Sequence, residues 1–172
     1  MRRSSKGRFA GLVLSLALVA AACSGGSDTA AGELHGDPIP ATTFETFEGV
    51  ETSLAAYAGQ PLVVNFWASW CPSCVAELSA AFVPAQLALG DQVAFLGMNI
   101  QDERDKALDL VEETGALFDL AEDPNGALYT TLGGLGMPFT VFISADGEIL
   151  DVHNGPLTEG QLVDRITEVL LS

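Results

Sequence analysis

Basic residues are almost absent from this 172-residue chain beyond its first eight positions. Arg2, Arg3, Lys6 and Arg8 open it, and after Cys23 three cations stand against 23 carboxylates, a net charge of −20. That deficit excludes nucleic-acid or anionic-membrane binding through a basic patch and leaves a strongly solvated surface. Apolar runs are short as well. The longest candidate, Phe9 to Ala22, has 14 residues, whereas a membrane span needs about 20. Cysteine and histidine are scarce, at three and two residues. A closed zinc site needs four ligands, and the histidines at 35 and 153 lie far along the chain from Cys71 and Cys74. The sequence shows no internal repeat.

What is present begins with a processing signal. A cationic start followed by a 14-residue apolar run reads as a secretory signal over residues 1–22. The run ends Val19-Ala20-Ala21-Ala22-Cys23. Small residues before a cysteine resemble a bacterial lipobox, although Ala20 stands where leucine is commonest. That resemblance implies a lipidated Cys23 at the mature N-terminus and an extracytoplasmic protein anchored to the membrane. Cysteine arithmetic agrees: lipid on Cys23 removes the odd thiol and leaves a pair. Residues 23–36, rich in Gly, Ser, Ala and Asp, read as a flexible tether, and residues 37–172 as one domain.

Strands and helices alternate through that domain, the pattern of an α/β fold with βαβ crossovers. Leu62 to Trp67 is apolar almost throughout, like a sheet strand covered on both faces. A helix is expected from Pro72, which suits the first helical position, with a kink or end at Pro84. A strand follows at Val93 to Ile100, then helices at Asp102 to Thr114 and Pro124 to Leu132. Two strands, Pro138 to Ser144 and Ile149 to His153, flank an Asp146-Gly147 turn. A capping box, Thr158-x-x-Gln161, opens the last helix.

Cys71-Pro72-Ser73-Cys74 carries the chemistry. Disulfide exchange needs a thiolate that attacks and a second thiol that resolves the mixed disulfide. A helix start lowers the pKa of the first sulfur through free N–H groups and the helix dipole. Cys71 is therefore the expected nucleophile and Cys74 the more buried resolving thiol. The N–H groups of Ser73 and Cys74, and the Ser73 hydroxyl, are the expected donors to Cys71. A bare Cys-x-x-Cys also serves metal sites and inert disulfides.

Asn65-Phe66-Trp67-Ala68-Ser69-Trp70-Cys71-Pro72-Ser73-Cys74 is similar to the redox loop of thioredoxins, and the chain from about Thr43 to Leu171 resembles the exported TlpA/ResA-like branch. Glu77, the Gly136-Met137-Pro138-Phe139-Thr140 stretch and the central Asp102–Leu132 segment match that branch. The resemblance implies a thioredoxin fold: a central mixed sheet flanked by helices, with a helical insertion after the second βα unit. It implies a cis Met137-Pro138 peptide beside the cysteines, with the Met137 backbone and Trp70 contacting substrate. Phe139 stands where threonine is commoner, so it is expected to narrow or grease the substrate groove. Asn65 replaces the buried acid of cytosolic thioredoxins and cannot shuttle protons. Glu77, one helical turn past Cys74, is the expected replacement, with burial raising its pKa. Trp67 and Trp70 are expected to pack around the site.

The expected activity is thiol–disulfide exchange with exported proteins, as a reductant in cytochrome c maturation or as an oxidant installing disulfides. The expected partners are those thiol proteins and a membrane electron donor or acceptor; a monomer without a resident cofactor is expected. A peroxide reductase of the same fold is a second reading, although Ala68 stands where peroxidases carry threonine. A metal-binding chaperone without catalysis is a third.

Overall fold

A computed structural model describes residues 34–172; the signal, Cys23 and most of the tether lie outside the described residues. An eight-stranded sheet runs through the domain. Its strands in chain order are β1 (Asp37–Pro38), β2 (Thr43–Thr46), β3 (Glu51–Ser53), β4 (Leu62–Trp67), β5 (Ala94–Ile100), β6 (Asp119–Asp123), β7 (Phe139–Ile143) and β8 (Glu148–Asn154). They lie in the order β1-β8-β7-β4-β5-β6-β2-β3. β4, β5 and β6 are parallel, β7 pairs antiparallel with β4, and β8 antiparallel with β7. This is the thioredoxin arrangement of a mixed sheet with helices on both faces.

Every residue of β4 is buried, because each side of the strand feeds a separate core. Val63 and Trp67 pack under the helices α1 (Pro72–Glu77), α2 (Val83–Leu89) and α5 (Glu159–Leu170), with Cys74, Leu78, Phe82, Leu162 and Ile166. Leu62, Val64 and Phe66 face the other way, toward Leu54 and toward Leu128 and Leu132 around the short helix α4 (Ala127–Thr131). Truncating one of these fully buried leucines to alanine costs about 2–5 kcal/mol.

Pro84 does not end the first helix. The chain stays helical to Leu89, and the change of register falls in a π turn, Leu78–Phe82, just ahead of the proline. Proline lacks the N–H and its ring opposes the carbonyl four residues back, and a π turn is one way a helix absorbs such a misfit. The insertion carries α3 (Arg104–Thr114) and α4, and between them the strand β6. The Asp146-Gly147 turn has Gly147 at φ 82°, a left-handed position that glycine occupies without penalty. The capping box at Thr158 and Gln161 is formed in both directions.

Candidate redox site

The site sits where β4 and β5 end side by side. Their parallel register pairs Trp67 with Asn99, so the segments leaving the two strands emerge together, as is usual for binding sites at the carboxyl ends of parallel strands. From β4 the chain turns through Ser69 and Trp70 into Cys71, the N-cap of α1, with Pro72 in the first turn. Cys71 and Cys74 form a disulfide, with Cα atoms 5.3 Å apart. Cys71 is 5% exposed and Cys74 fully buried. The Cys74 N–H donates to Cys71 Sγ at 3.3 Å, and the Ser73 hydroxyl lies 3.4 Å from the same sulfur. Donors aimed at this sulfur stabilise a thiolate more than a thiol, the form that attacks a disulfide.

Three residues past Cys74 on α1, Glu77 joins a buried polar cluster with Asn65 and Thr140. Register on β4 and β7 sets Asn65 beside Thr140. The Asn65 Nδ2 donates to Glu77 Oε2 at 3.0 Å and to Thr140 Oγ1 at 3.3 Å. Glu77 Oε1 accepts the Leu157 N–H at 2.7 Å. Glu77 is 3% exposed and Asn65 1%. Burial pushes the Glu77 carboxyl up to about 7, against the opposing pull of the Leu157 and Asn65 donors. A carboxyl poised there exchanges a proton readily at neutral pH. Asn65 Oδ1 is buried with no hydrogen-bond partner.

At Ser69, two residues before Cys71, a second carboxylate absent from the sequence-based expectations holds the loop. Asp102 accepts from the Ser69 N–H at 2.5 Å, the Ser69 hydroxyl at 2.7 Å, Asn99 Nδ2 at 3.0 Å and the Glu103 N–H at 2.8 Å. Burial alone would raise its pKa, but these four donors outweigh it and hold the carboxyl below its usual range. Next to it Gln101 adopts φ 48°, a left-handed conformation that costs a non-glycine residue on the order of 1–3 kcal/mol. Its carbonyl accepts from Trp70 Nε1 at 2.9 Å. Nothing in the residue types marks this corner in advance, since its role depends on which strand ends are neighbours.

The Met137-Pro138 peptide is cis. Met137 is half-buried and packs against both cores, while Pro138 is buried. Two expectations are corrected here. Phe139 does not line a groove: it is fully buried in the opposite core, with ring centroids 5.5 Å from those of Phe66 and Tyr129. Strand alternation explains this, because Thr140 takes the cysteine face and Phe139 must take the other. Trp70 does not pack around the site as Trp67 does. It is 57% exposed, whereas Trp67 is fully buried. The three cations of the described domain are all ion-paired, Arg104 with Glu122, Lys106 with Glu103 and Arg165 with Asp151, so the field around the site stays acidic. Among the described residues no group of three or more His, Cys, Asp or Glu side chains is placed to hold a metal ion.

Residues 34–170 match the family model described as Redoxin. The chain is 37% identical over 100 residues to the thiol:disulfide interchange protein DsbE of Vibrio cholerae, covering 58% of this chain and about half of that relative (52%). It is 34% identical over 128 residues to DsbE of Escherichia coli K12, covering 72% of this chain and 67% of the relative. Among solved structures it is similar to a secreted disulfide oxidoreductase of Mycobacterium tuberculosis described as homologous to E. coli DsbE. That likeness has a TM-score of 0.65 and 26% identity, over 74% of this chain and 96% of the other. With a Cys-x-x-Cys disulfide capping α1, a cis-proline loop and a match spanning nearly all of the described domain, the chain belongs to the redoxin family.

Proposed function

We propose that the protein is an extracytoplasmic thiol–disulfide oxidoreductase that exchanges disulfides with exported proteins through Cys71 and Cys74. The single observation that carries this reading is the helix-capping sulfur of Cys71, which receives the Cys74 N–H within a formed Cys71–Cys74 disulfide.

In the reducing direction the Cys71 thiolate attacks one sulfur of a substrate disulfide. The substrate S–S bond breaks, a Cys71–substrate bond forms, and the departing thiolate takes a proton from solvent. Cys74 then loses its proton to Glu77, attacks the Cys71 sulfur and releases the second substrate thiolate. The substrate gains two electrons and the enzyme pair becomes the disulfide. A membrane electron donor returns two electrons to it. The raised pKa of Glu77 supports its assignment as proton acceptor, and Trp70, Met137 and Pro138 are the proposed substrate contacts. The proposed setting is the outer side of a bacterial membrane, with a lipid on Cys23 and residues 23–36 as tether. The proposed direction is reduction, with disulfides of apocytochrome c as the proposed substrates, on the resemblance of the redox loop to the TlpA/ResA-like branch; the DsbE relatives are named for thiol:disulfide interchange in either direction.

Purified Cys74→Ser protein, incubated with a peptide disulfide, should accumulate a one-to-one mixed disulfide on Cys71 visible by intact mass. Cys71→Ser should form none. Absence of an adduct on Cys74→Ser would remove the exchange reading. The direction is read from the reduction potential: a value well below about −200 mV supports a reductant, and one near −120 mV supports an oxidant. Radiolabelled palmitate incorporated by the wild type and lost in Cys23→Ala supports the anchor; equal labelling of both contradicts it.

A further inference from the structure

Two large apolar side chains remain exposed on the loops that flank the disulfide. Trp70 immediately precedes Cys71 and is 57% exposed; Leu135 lies in the cis-proline loop and is 75% exposed. Neither loop is slack. The Leu135 and Gly136 N–H groups both donate to Asn154 Oδ1, at 2.8 and 3.2 Å. Trp70 is held at its only polar atom, Nε1, by the Gln101 carbonyl at 2.9 Å. The Gln101 side chain is exposed, so the backbone is what holds the indole. That carbonyl belongs to a residue at φ 48°, the one non-glycine positive φ among the described residues. Asp102 fixes the next stretch by binding the Ser69 N–H and hydroxyl, and Asn99 Nδ2 donates to the Trp67 carbonyl at 3.4 Å.

An unusual backbone conformation persists only where its surroundings enforce it, and such positions gather at functional sites. An exposed indole costs rotamer entropy when a substrate immobilises it; one already immobilised has paid that cost before binding. Here the N–H is committed inward, so the part of the ring left to solvent is apolar.

We propose that Gln101 is a positioning residue. Its left-handed backbone turns its carbonyl to Trp70 and presents the indole as a fixed apolar platform beside Cys71. The substrate this favours is an extended polypeptide disulfide with a bulky apolar side chain next to its cysteine. The proposal rests on the disulfide-exchange reading above and adds a specificity to it.

The test uses the full chain, pre-reduced with a dithiol that is then removed. Single-turnover rate constants are measured with bis(2-hydroxyethyl) disulfide and with two peptide disulfides that differ only in Phe or Gly beside the cysteine. Reaction with the small disulfide tests the exchange reading itself, and no reaction there overturns that reading. The Phe-to-Gly rate ratio tests the platform. It should be about tenfold in the wild type and near one in Trp70→Ala, the loss given by removing one aromatic anchor. Gln101→Gly, which tolerates positive φ, should keep the wild-type ratio. Gln101→Val, whose β-branch opposes positive φ, should lose it, with the small-disulfide rate unchanged within about twofold. Trp70→Phe keeps a ring but lacks the N–H, and should lose most of the preference; it carries the test if Gln101→Val does not fold. A wild-type ratio near one, a full ratio in Gln101→Val or Trp70→Phe, or a lost ratio in Gln101→Gly would each overturn the proposal.

Discussion

Two carboxylates lie within reach of the same redox loop and are driven in opposite directions. Past Cys74 on α1, Glu77 is buried and meets two donors, the Leu157 N–H and the Asn65 amide. At Ser69, ahead of Cys71, Asp102 is half-buried and meets four. Desolvation wins at Glu77 and lifts it to about 7. Hydrogen bonding wins at Asp102 and holds it down. The lesson is that donor count against burial, and not residue type, decides whether an acid beside this disulfide is a proton carrier or a fixed anchor. Glu77 can load and unload a proton at neutral pH. Asp102 stays charged there and serves only to hold the loop.

The largest effect that would break this contrast is in the pH dependence of stability. The folded-state pKa of Glu77 lies above its unfolded value of 4.5. Its contribution to stability is therefore full below about pH 4.5 and is lost as pH rises through about 7. At about 1.4 kcal/mol for each pH unit between the two values, the loss is about 3 kcal/mol. Urea denaturation of the oxidised protein at pH 5 and pH 8 should show that slope, and Glu77→Gln should remove it. Identical slopes in the two proteins would place Glu77 among ordinary surface acids. The glutamine is tolerated because Asn65 Oδ1 is without a partner: turning the Asn65 amide offers that oxygen to the new carboxamide.

Asp102→Asn has no such escape, since each carboxylate oxygen accepts a backbone N–H, Ser69 on one and Glu103 on the other, and a backbone donor cannot reverse. It should destabilise the oxidised protein by about 2 kcal/mol at pH 7, read as a fall in the denaturation midpoint. A variant as stable as the wild type would mean that the corner holds nothing. Ser69→Ala removes one of the four bonds and keeps the charge. The expected loss is smaller, about 1 kcal/mol by the same measurement. A loss equal to that of Asp102→Asn would assign the whole effect to the serine hydroxyl.

The division between what was legible in the sequence and what was not follows the range of the interactions. β4 declares itself by an apolar run, α5 by its capping box, and the β7–β8 turn by Asp-Gly; each is a local signal. The Glu77 position follows from helical spacing to Cys74. β1, β2 and β3 are two to four residues long and mostly exposed, so they carry no alternation to read. β6 has the sequence Asp-Leu-Ala-Glu-Asp, which reads as a polar loop until β5 and β2 pair with it. Asp102 and Gln101 matter because β4 and β5 end together, a fact of sheet order. The face of Phe139 depends on a pairing across the sheet: Asn65 opposite Thr140 puts its neighbour on the other face.

The most direct measurement is carboxyl-carbon NMR of the oxidised protein, labelled at Asp and Glu and titrated from pH 3 to pH 9. Glu77 should titrate near pH 7 while Asp102 remains ionised below the usual aspartate range. If both carboxyls titrate together near pH 4, where free side chains do, the division of labour between proton carrier and anchor is wrong.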